Sequence, residues 1–373
     1  MKTVAIVINT AWNIYNFRLN LARRLRDEGY NVICIAPYNE HYTAKIEKEF
    51  SFYAIAFDAK GMNPFNDIKT VWDLYWLYRK IKPDVVLNYT IKPNLYSTWA
   101  ARLVGAKVIN TISGLGTVFI KTSFATTFIK QLYKITSKLT YKVFFQNKDD
   151  CELFCHQKLV SPHQAEIVFG SGVDLKRFYP RPSRLEDNKI VFLLVARMLK
   201  DKGVYEFIEA SQNLYKRYPY IECWLLGACD VQNKTAISQE EMQHLCKKQP
   251  LKYLGTSDCV EDIIQQADCI VLPSYREGTP RSLLEAAAMA KPLIATDTVG
   301  CKDVIDNEVT GFLCRVRDPE DLMKKMEHIV LLSRKQRENM GRQGLLKIRE
   351  TYDEKAVIEC YLKAIKELLF YNK

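Results

Sequence analysis

At 373 residues the chain is too long for one ordinary core and fits two domains of about 150–200 residues each. Its 48% hydrophobic and 26% charged residues exclude a disordered chain, and no apolar run approaches the roughly 20 residues that span a bilayer. Nearly all of the +11 net charge falls in residues 1–178, and no acid occurs between Asp84 and Asp149, so that half is expected to meet an anionic partner.

Taken in chain order, the apolar run at 4–9 reads as a buried first strand, too short for a signal peptide. An amphipathic helix over 17–28 stops at Gly29, and a strand follows at 32–37. A helix over 68–81, a strand at 84–88, a helix over 95–103 and a strand at 107–111 continue the alternation. Residues 121–142 read as one helix with Lys130, Lys134, Lys138 and Lys142 in an i, i+4 stripe beside Phe124, Phe128, Leu132, Ile135 and Leu139. Pro180, Pro182 and mixed charges mark a linker at 179–185. The pattern then restarts: strand 190–196, helix 204–218, strand 221–227, helix 239–248, strand 252–254, strand 269–272, helix 281–290 and strand 292–296. Short β runs alternating with helices predict an α/β chain with two doubly wound parallel sheets, in domains 1–178 and 186–354. Such sheets bind ligands at the carboxyl ends of their strands, here expected to border a cleft between the domains.

The eleven cysteines are scattered, odd in number and never in a CxxC pair. That usage fits a reducing cytoplasm with thiols serving as small apolar residues. No His lies near a second ligand at zinc-like spacing, so no metal site is expected.

Three strand ends carry candidate chemistry. In Leu272-Pro-Ser-Tyr-Arg-Glu277-Gly278-Thr279-Pro280-Arg281-Ser282-Leu283-Leu-Glu285, Gly278 permits close backbone approach and Pro280 suits a helix start. The N–H groups at Arg281–Leu283 would then form an anion site, and the two carboxylates can accept vicinal hydroxyls. The plain alternative is a loop acid and a surface helix acid. Arg197 and Lys202-Gly203 fall in the loop after the 190–196 strand, where cations can neutralise a departing diphosphate; the alternative is a solvated basic loop. Gly172-Val-Asp174 is a glycine-rich turn before the linker, ordinary by itself.

Together with Leu226-Gly227, Tyr253-Leu254-Gly255, Ala267-Asp268 and Pro273-Ser274, these motifs resemble the GT4 type of retaining glycosyltransferases, which have the GT-B fold of two Rossmann-like domains. They run in the family's order over nearly the whole second half. The resemblance implies that Arg197 and Lys202 bind the donor diphosphate, Glu277 the transferring sugar and Glu285 the ribose. Tyr253, Leu254 and Thr256 would line the uracil, with Gly172 and Gly227 bordering the site. The last helix, about 355–373, would cross back to the first domain. In the first half, Asn13-Ile-Tyr15-Asn16-Phe-Arg18, Lys92-Pro-Asn94 and Gly114-Leu-Gly116 are similar to bacterial enzymes that extend polyprenyl-diphosphate-linked glycans, N-acetylgalactosaminyltransferases among them. Two departures stand out. Asn9–Asn13 lacks the Gly-Gly pair many relatives have after the first strand, and no His falls in the first domain's strand-end motifs.

The absence of Asp-x-Asp argues against a metal-held diphosphate, so no cofactor is expected; the resemblance implies a UDP-sugar as the donor. No GxGxxG follows a strand, against a dinucleotide dehydrogenase. The basic stripe with Lys121 suits an anionic membrane, its alternative being a solvated helix edge, while no nucleic-acid module is present. The expectation is therefore a cytoplasmic enzyme, peripheral on the inner face of the membrane, moving a hexose or N-acetylhexosamine from a UDP-sugar to a lipid-linked glycan. A UDP-sugar 2-epimerase and a non-catalytic membrane-binding protein are the alternatives.

Overall fold

The computed structural model describes residues 1–57, 64–115, 124–182, 189–231 and 233–371. The chain forms two compact units, Met1–Ser171 with Lys355–Lys373, and Gly172–Glu354. The change between units thus falls before the expected linker at 179–185, of which residues 183–185 lie outside the described residues.

The first unit contains β1 (Thr3–Val7), α1 (Ala11–Phe17), α2 (Leu19–Asp27), β2 (Asn31–Ala36), α3 (Glu40–Glu47), β3 (Ser51–Ala54), α4 (Pro64–Ile81) and β4 (Val85–Tyr89). A short π-helical turn, Pro93–Ser97, leads into α5 (Thr98–Leu103), followed by β5 (Lys107–Ile112), α6 (Phe124–Ser137), β6 (Lys142–Phe145), α7 (Lys148–His156) and β7 (Ala165–Ile167). Its sheet has the order β3-β2-β1-β4-β5-β6-β7 with all pairs parallel.

The second unit contains β8 (Ile190–Val195), α8 (Val204–Tyr215), β9 (Ile221–Leu226), α9 (Gln239–Leu245), β10 (Leu251–Tyr253), α10 (Val260–Ile264), β11 (Cys269–Leu272), α11 (Arg281–Ala288), β12 (Leu293–Thr296), β13 (Gly311–Cys314), α12 (Pro319–Leu331) and α13 (Arg334–Thr351). The order β10-β9-β8-β11-β12-β13 is again parallel throughout. Helix α14 (Glu354–Lys366) then belongs, from Lys355, to the first unit.

Alternation explains the two covered faces. Val4 and Ile6 of β1 pack in one core, which also holds Tyr361, Leu362 and Ile365 of α14, while Ala5 and Val7 pack in the other with Leu74 and Tyr78 of α4. The side-chain period of two delivers one set to each face. In β8, Phe192 and Leu194 face one core and Val191 and Leu193 the other. Helix α14 is fixed by burial and by Tyr361, whose hydroxyl shares a 2.7 Å hydrogen bond with Thr111.

The expected helix over 17–28 is α2, and α1 precedes it as an additional helix: Thr10 caps α1 by accepting from the Asn13 N–H, and Arg18 (φ −131°) breaks the chain between α1 and α2. One helix expectation changes. The stretch expected as one helix over 121–142 has its described helical part at Phe124–Ser137. Lys142 instead opens β6 and pairs with Glu166 and Glu367, so it leaves the lysine stripe.

Candidate active site

Strand order reverses where β2 and β4 flank β1, and where β9 and β11 flank β8. At such switch points the loops leaving the two central strands diverge and leave room for a ligand beyond their carboxyl ends. In the second unit those loops are the ones carrying Lys202 and Glu277.

The loop after β8 makes a tight turn over Lys200–Lys202 and ends at Gly203, which holds φ +73° and caps into α8. A Cβ there would lie 2.1 Å from the Pro273 carbonyl oxygen. Glycine is therefore needed for conformation and for contact with the loop after β11. The Tyr275 N–H donates to the Asp201 carbonyl at 2.9 Å, and the Ser274 hydroxyl donates to the same oxygen at 3.2 Å. So joined, the loops bring the Lys202 ammonium onto the Glu277 carboxylate in a short, largely buried ion pair.

Glu277 is held from its other side by the loop after β12. Its N–H donates to the Val299 carbonyl at 3.1 Å, and a Cβ on Gly300 would meet the Gly278 and Glu277 carbonyl oxygens at 2.3 and 2.6 Å. Thr296 and Thr298 donate to the carbonyls of Ser274 and Tyr275. Sequence reasoning missed this third support; its signal is a glycine shortly after a strand end.

Pro280 is the extended residue before α11 rather than its first helical residue, and Arg281 begins the helix. Arg281 donates from Nε to Glu285 at 3.0 Å. Burial pushes the Glu285 carboxyl above the usual carboxylate range, opposed by Arg281 and, further off, Arg177. Glu277 and Glu285 thus rest on different cations. Leu283 packs in the core, leaving only its backbone to a ligand, while Thr279 and Ser282 are half-buried. Arg197 is exposed and makes no side-chain hydrogen bond or ion pair among the described residues.

At the end of β9, Gly227 holds φ +149°, and a Cβ would fall 1.7 Å from the Ala196 carbonyl oxygen. Its N–H donates to the Gly255 carbonyl at 2.7 Å and its own carbonyl accepts from the Tyr253 hydroxyl at 2.9 Å, tying the 253–256 stretch to the end of β9. Leu254 is half-buried and Thr256 exposed. Gly172 has a packing reason of its own: φ +68°, with a Cβ position 2.4 Å from the Glu354 Cα.

The first-unit candidates are drawn into the fold to different degrees. Asn13 and Tyr15 are half-buried on α1, Tyr15 beside Tyr42. Asn16 donates to the Trp12 carbonyl at 3.0 Å. Arg18 is buried with its guanidinium 4.2 Å from the Tyr89 ring centroid. Lys92 pairs with Asp67 at 2.8 Å. Asn94 is buried and donates to the Thr111 carbonyl at 2.9 Å, so its amide also braces the end of β5. Gly114 has φ +109°; Gly116 lies outside the described residues. On α6, Thr126, Ile129, Tyr133 and Thr136 face inward, while Lys134, Phe128 and Ile135 are exposed. Lys130 is half-buried, Lys138 is exposed beyond the helix end, and Lys121 lies outside the described residues. The apolar face therefore differs from the expected one, because Phe128 and Ile135 point outward.

All eleven cysteines are free thiols. Among the described residues, no group of three metal-ligating side chains is placed to hold an ion, and no helix is long and apolar enough to cross a membrane.

Comparison with known proteins joins this geometry to a family. Residues 176–346 match the family described as Glycosyl transferases group 1, and residues 3–147 match Glycosyl transferase 4-like. The chain is 28% identical over 370 residues to an N,N'-diacetylbacillosaminyl-diphospho-undecaprenol alpha-1,3-N-acetylgalactosaminyltransferase of Campylobacter jejuni, covering 94% of this chain and 95% of that one. It is 24% identical over 317 residues to a UDP-Gal:alpha-D-GlcNAc-diphosphoundecaprenol alpha-1,3-galactosyltransferase of Escherichia coli, covering 82% and 81%. Among solved structures, a glycosyltransferase from Rickettsia africae matches with a TM-score of 0.80 at 19% identity, covering 100% of this chain and 99% of that one. Anabaena HepE with UDP and glucose matches at 0.80 and 13% identity, covering 98% and 100%. These likenesses carry the GT-B fold, and nothing in the comparisons supports an epimerase. With both halves of the sequence matched and a switch-point site in the second unit, the chain belongs to the GT4-like glycosyltransferases.

Proposed function

We propose that this enzyme moves a hexose or N-acetylhexosamine from a UDP-sugar to a polyprenyl-diphosphate-linked glycan in bacterial surface-glycan assembly, with retention at the anomeric carbon and without metal. The observation that carries the reading is the Lys202–Glu277 pair, held at the β8/β11 switch point beside the start of α11. The two charges meet in an ion pair. A donor diphosphate near the α11 N-terminus would draw the Lys202 ammonium to its oxygens, aided by Arg197 and the helix dipole. Glu277 is then released to accept hydrogen bonds from the sugar hydroxyls. The acceptor hydroxyl attacks the anomeric carbon from the face that UDP leaves. The new carbon–oxygen bond forms as the bond to the phosphate breaks, and the hydroxyl proton passes to a phosphate oxygen of the departing UDP. Preorganised cations at the leaving group stabilise the charge that develops there.

Glu285 would hold the ribose hydroxyls, and the 253–256 stretch the uracil. The acceptor would be bound by the first unit, with the enzyme at the cytoplasmic face of the membrane and no nucleic acid as partner. Relatives named for diphosphoundecaprenol-linked substrates support the acceptor class.

Transfer of labelled sugar from a panel of UDP-sugars to a short polyprenyl-diphosphate glycan, with and without a chelator, tests the reading. Glu277→Gln and Lys202→Ala should each lower kcat/KM by about a hundredfold or more. Near-normal turnover in both variants would sink the site, chelator-sensitive turnover the metal-free mechanism, and an inverted anomeric linkage the retention.

A further inference from the structure

Helix α4 has two apolar faces. One is buried through Thr70, Leu74 and Tyr78 against the first unit's sheet. The other points outward: Phe65 is 84% exposed, Ile68 67%, Trp72 57% and Trp76 51%. Positions 65, 68, 72 and 76 follow the helical repeat, so they form one stripe about 16 Å long at 1.5 Å per residue. Tyr75 joins Trp72 and Trp76 in a ring cluster with centroids 5.4 to 5.7 Å apart. An exposed apolar stripe ending in an aromatic cluster marks an interaction site rather than ordinary surface.

The charges beside the stripe say what covers it. Lys69, Arg79 and Lys80 are exposed on the same helix, against one exposed acid, Asp73, since Asp67 is engaged by Lys92. The Arg79 guanidinium lies 5.5 Å from the Trp76 ring centroid and within reach of the Tyr75 hydroxyl, placing a cation at the end of the aromatic cluster. Tryptophan and tyrosine prefer the boundary between hydrocarbon and headgroups, and flanking cations favour anionic lipid. Helices α4, α5 and α6 cover the same face of the sheet, and α6 adds exposed Phe128, Ile135 and Lys134 there.

We propose that the α4 stripe is the principal membrane-contacting surface of this enzyme. Trp72 and Trp76 seat in the headgroup boundary of an anionic bilayer, Lys69, Arg79 and Lys80 meet lipid phosphates, and the α6 lysines are auxiliary. The proposal rests on the reading that the acceptor is lipid-linked, and it moves the main contact from the basic α6 helix to the aromatic residues of α4.

Flotation of the full chain with vesicles of equal parts phosphatidylcholine and phosphatidylglycerol, or of phosphatidylcholine alone, tests it. The wild type should float with the anionic vesicles, and Trp72→Ser/Trp76→Ser should lower its partition by about tenfold or more. Arg79→Gln/Lys80→Gln should weaken it less and reduce its salt dependence, and Lys134→Gln/Lys138→Gln should weaken it least. All three pairs are surface changes, and each should transfer sugar to a detergent-solubilised acceptor at the wild-type rate, so loss of docking separates from loss of the active site. Wild-type flotation of Trp72→Ser/Trp76→Ser would overturn the proposal, as would flotation abolished by the α6 pair alone or absent in the wild type. Light scattering that shows a dimer dissociated by Trp72→Ser/Trp76→Ser would instead assign the stripe to a second copy of the chain.

Discussion

Replacing Gly203 by Ala is expected to damage the proposed donor site through the backbone. The residue holds φ +73°, where an L side chain costs about 1–2 kcal/mol. The new Cβ would come within 2.1 Å of the Pro273 carbonyl oxygen and 2.7 Å of its carbonyl carbon. Neither is the yielding end of a side chain, so the loops after β8 and β11 must part. Overpacking of this kind costs about 1–3 kcal/mol, offset by the ~0.4–1 kcal/mol that alanine gains by stiffening the unfolded chain. The balance of about 3 kcal/mol corresponds to a fall in Tm of roughly 6–12 °C for a unit of this size. Lys202 immediately precedes Gly203, so its hold on Glu277 slackens too, and UDP affinity should fall by about tenfold. Thermal unfolding with and without UDP, together with calorimetric titration of UDP, measures both effects. Gly29→Ala is the control: it shares positive φ (+85°) but meets nothing within 4 Å, so it should cost only the conformational term and leave UDP binding intact. A Gly203→Ala protein with unchanged Tm and UDP affinity would refute the close-approach reasoning.

The Lys202–Glu277 pair should behave as a unit: Lys202→Ala and Glu277→Gln together should lose less kcat/KM than the sum of the single losses, with a coupling of about 1–3 kcal/mol, and strict additivity would show that the pair does not act together. For Glu285, burial raises the folded carboxyl above the usual carboxylate range. Its stabilising contribution is therefore full below that range and lost as pH rises through the folded value. On its proposed role Glu285 holds the ribose as the carboxylate, so UDP affinity should climb with pH across the same raised window and then level off. Calorimetry on Glu285→Gln should give a flat profile, and an unchanged slope would remove Glu285 from the site. Tyr361→Phe deletes the hydroxyl bonded to Thr111 and should cost about 1 kcal/mol in denaturant unfolding without changing UDP affinity.

The sheets were legible because parallel strands covered on both faces leave continuous apolar runs, as at Ile190–Val195, where nearly every residue is buried. Short or half-exposed strands escaped notice. Ser51–Ala54, an edge strand, is nowhere fully buried, and Lys142–Phe145 was hidden because its lysine continued the i, i+4 stripe of the preceding helix. At the site, Lys202 and Glu277 could be picked out from the residues around them, since each lies between a strand end and a glycine. That they touch could not, because the contact depends on β8 and β11 being neighbours, a fact of strand order that no local pattern carries. Gly300 was missed for the same reason, its role being set by two carbonyls more than twenty residues upstream.

The basic first half shows how far linear charge can mislead. A tract with no acid from 85 to 148 suggests a bare positive surface, yet the fold supplies partners from outside it. Asp67 meets Lys92, Glu166 and Glu367 meet Lys142, and the Leu368 carbonyl accepts from Lys107. What survives as accessible positive charge is therefore set by topology as much as by composition. The apolar surface behaves in the opposite way. On α4, Leu74 and Tyr78 point inward while Trp72 and Trp76 point out, so apolar residues on both sides weaken the one-sided signature by which a surface helix is read. A second apolar face on a helix already seated on its sheet is not required by that packing, and it costs solubility unless something covers it. Three exposed cations on the same helix narrow that cover to an anionic, apolar-accepting surface, which on the proposed acceptor class is the bilayer that carries it.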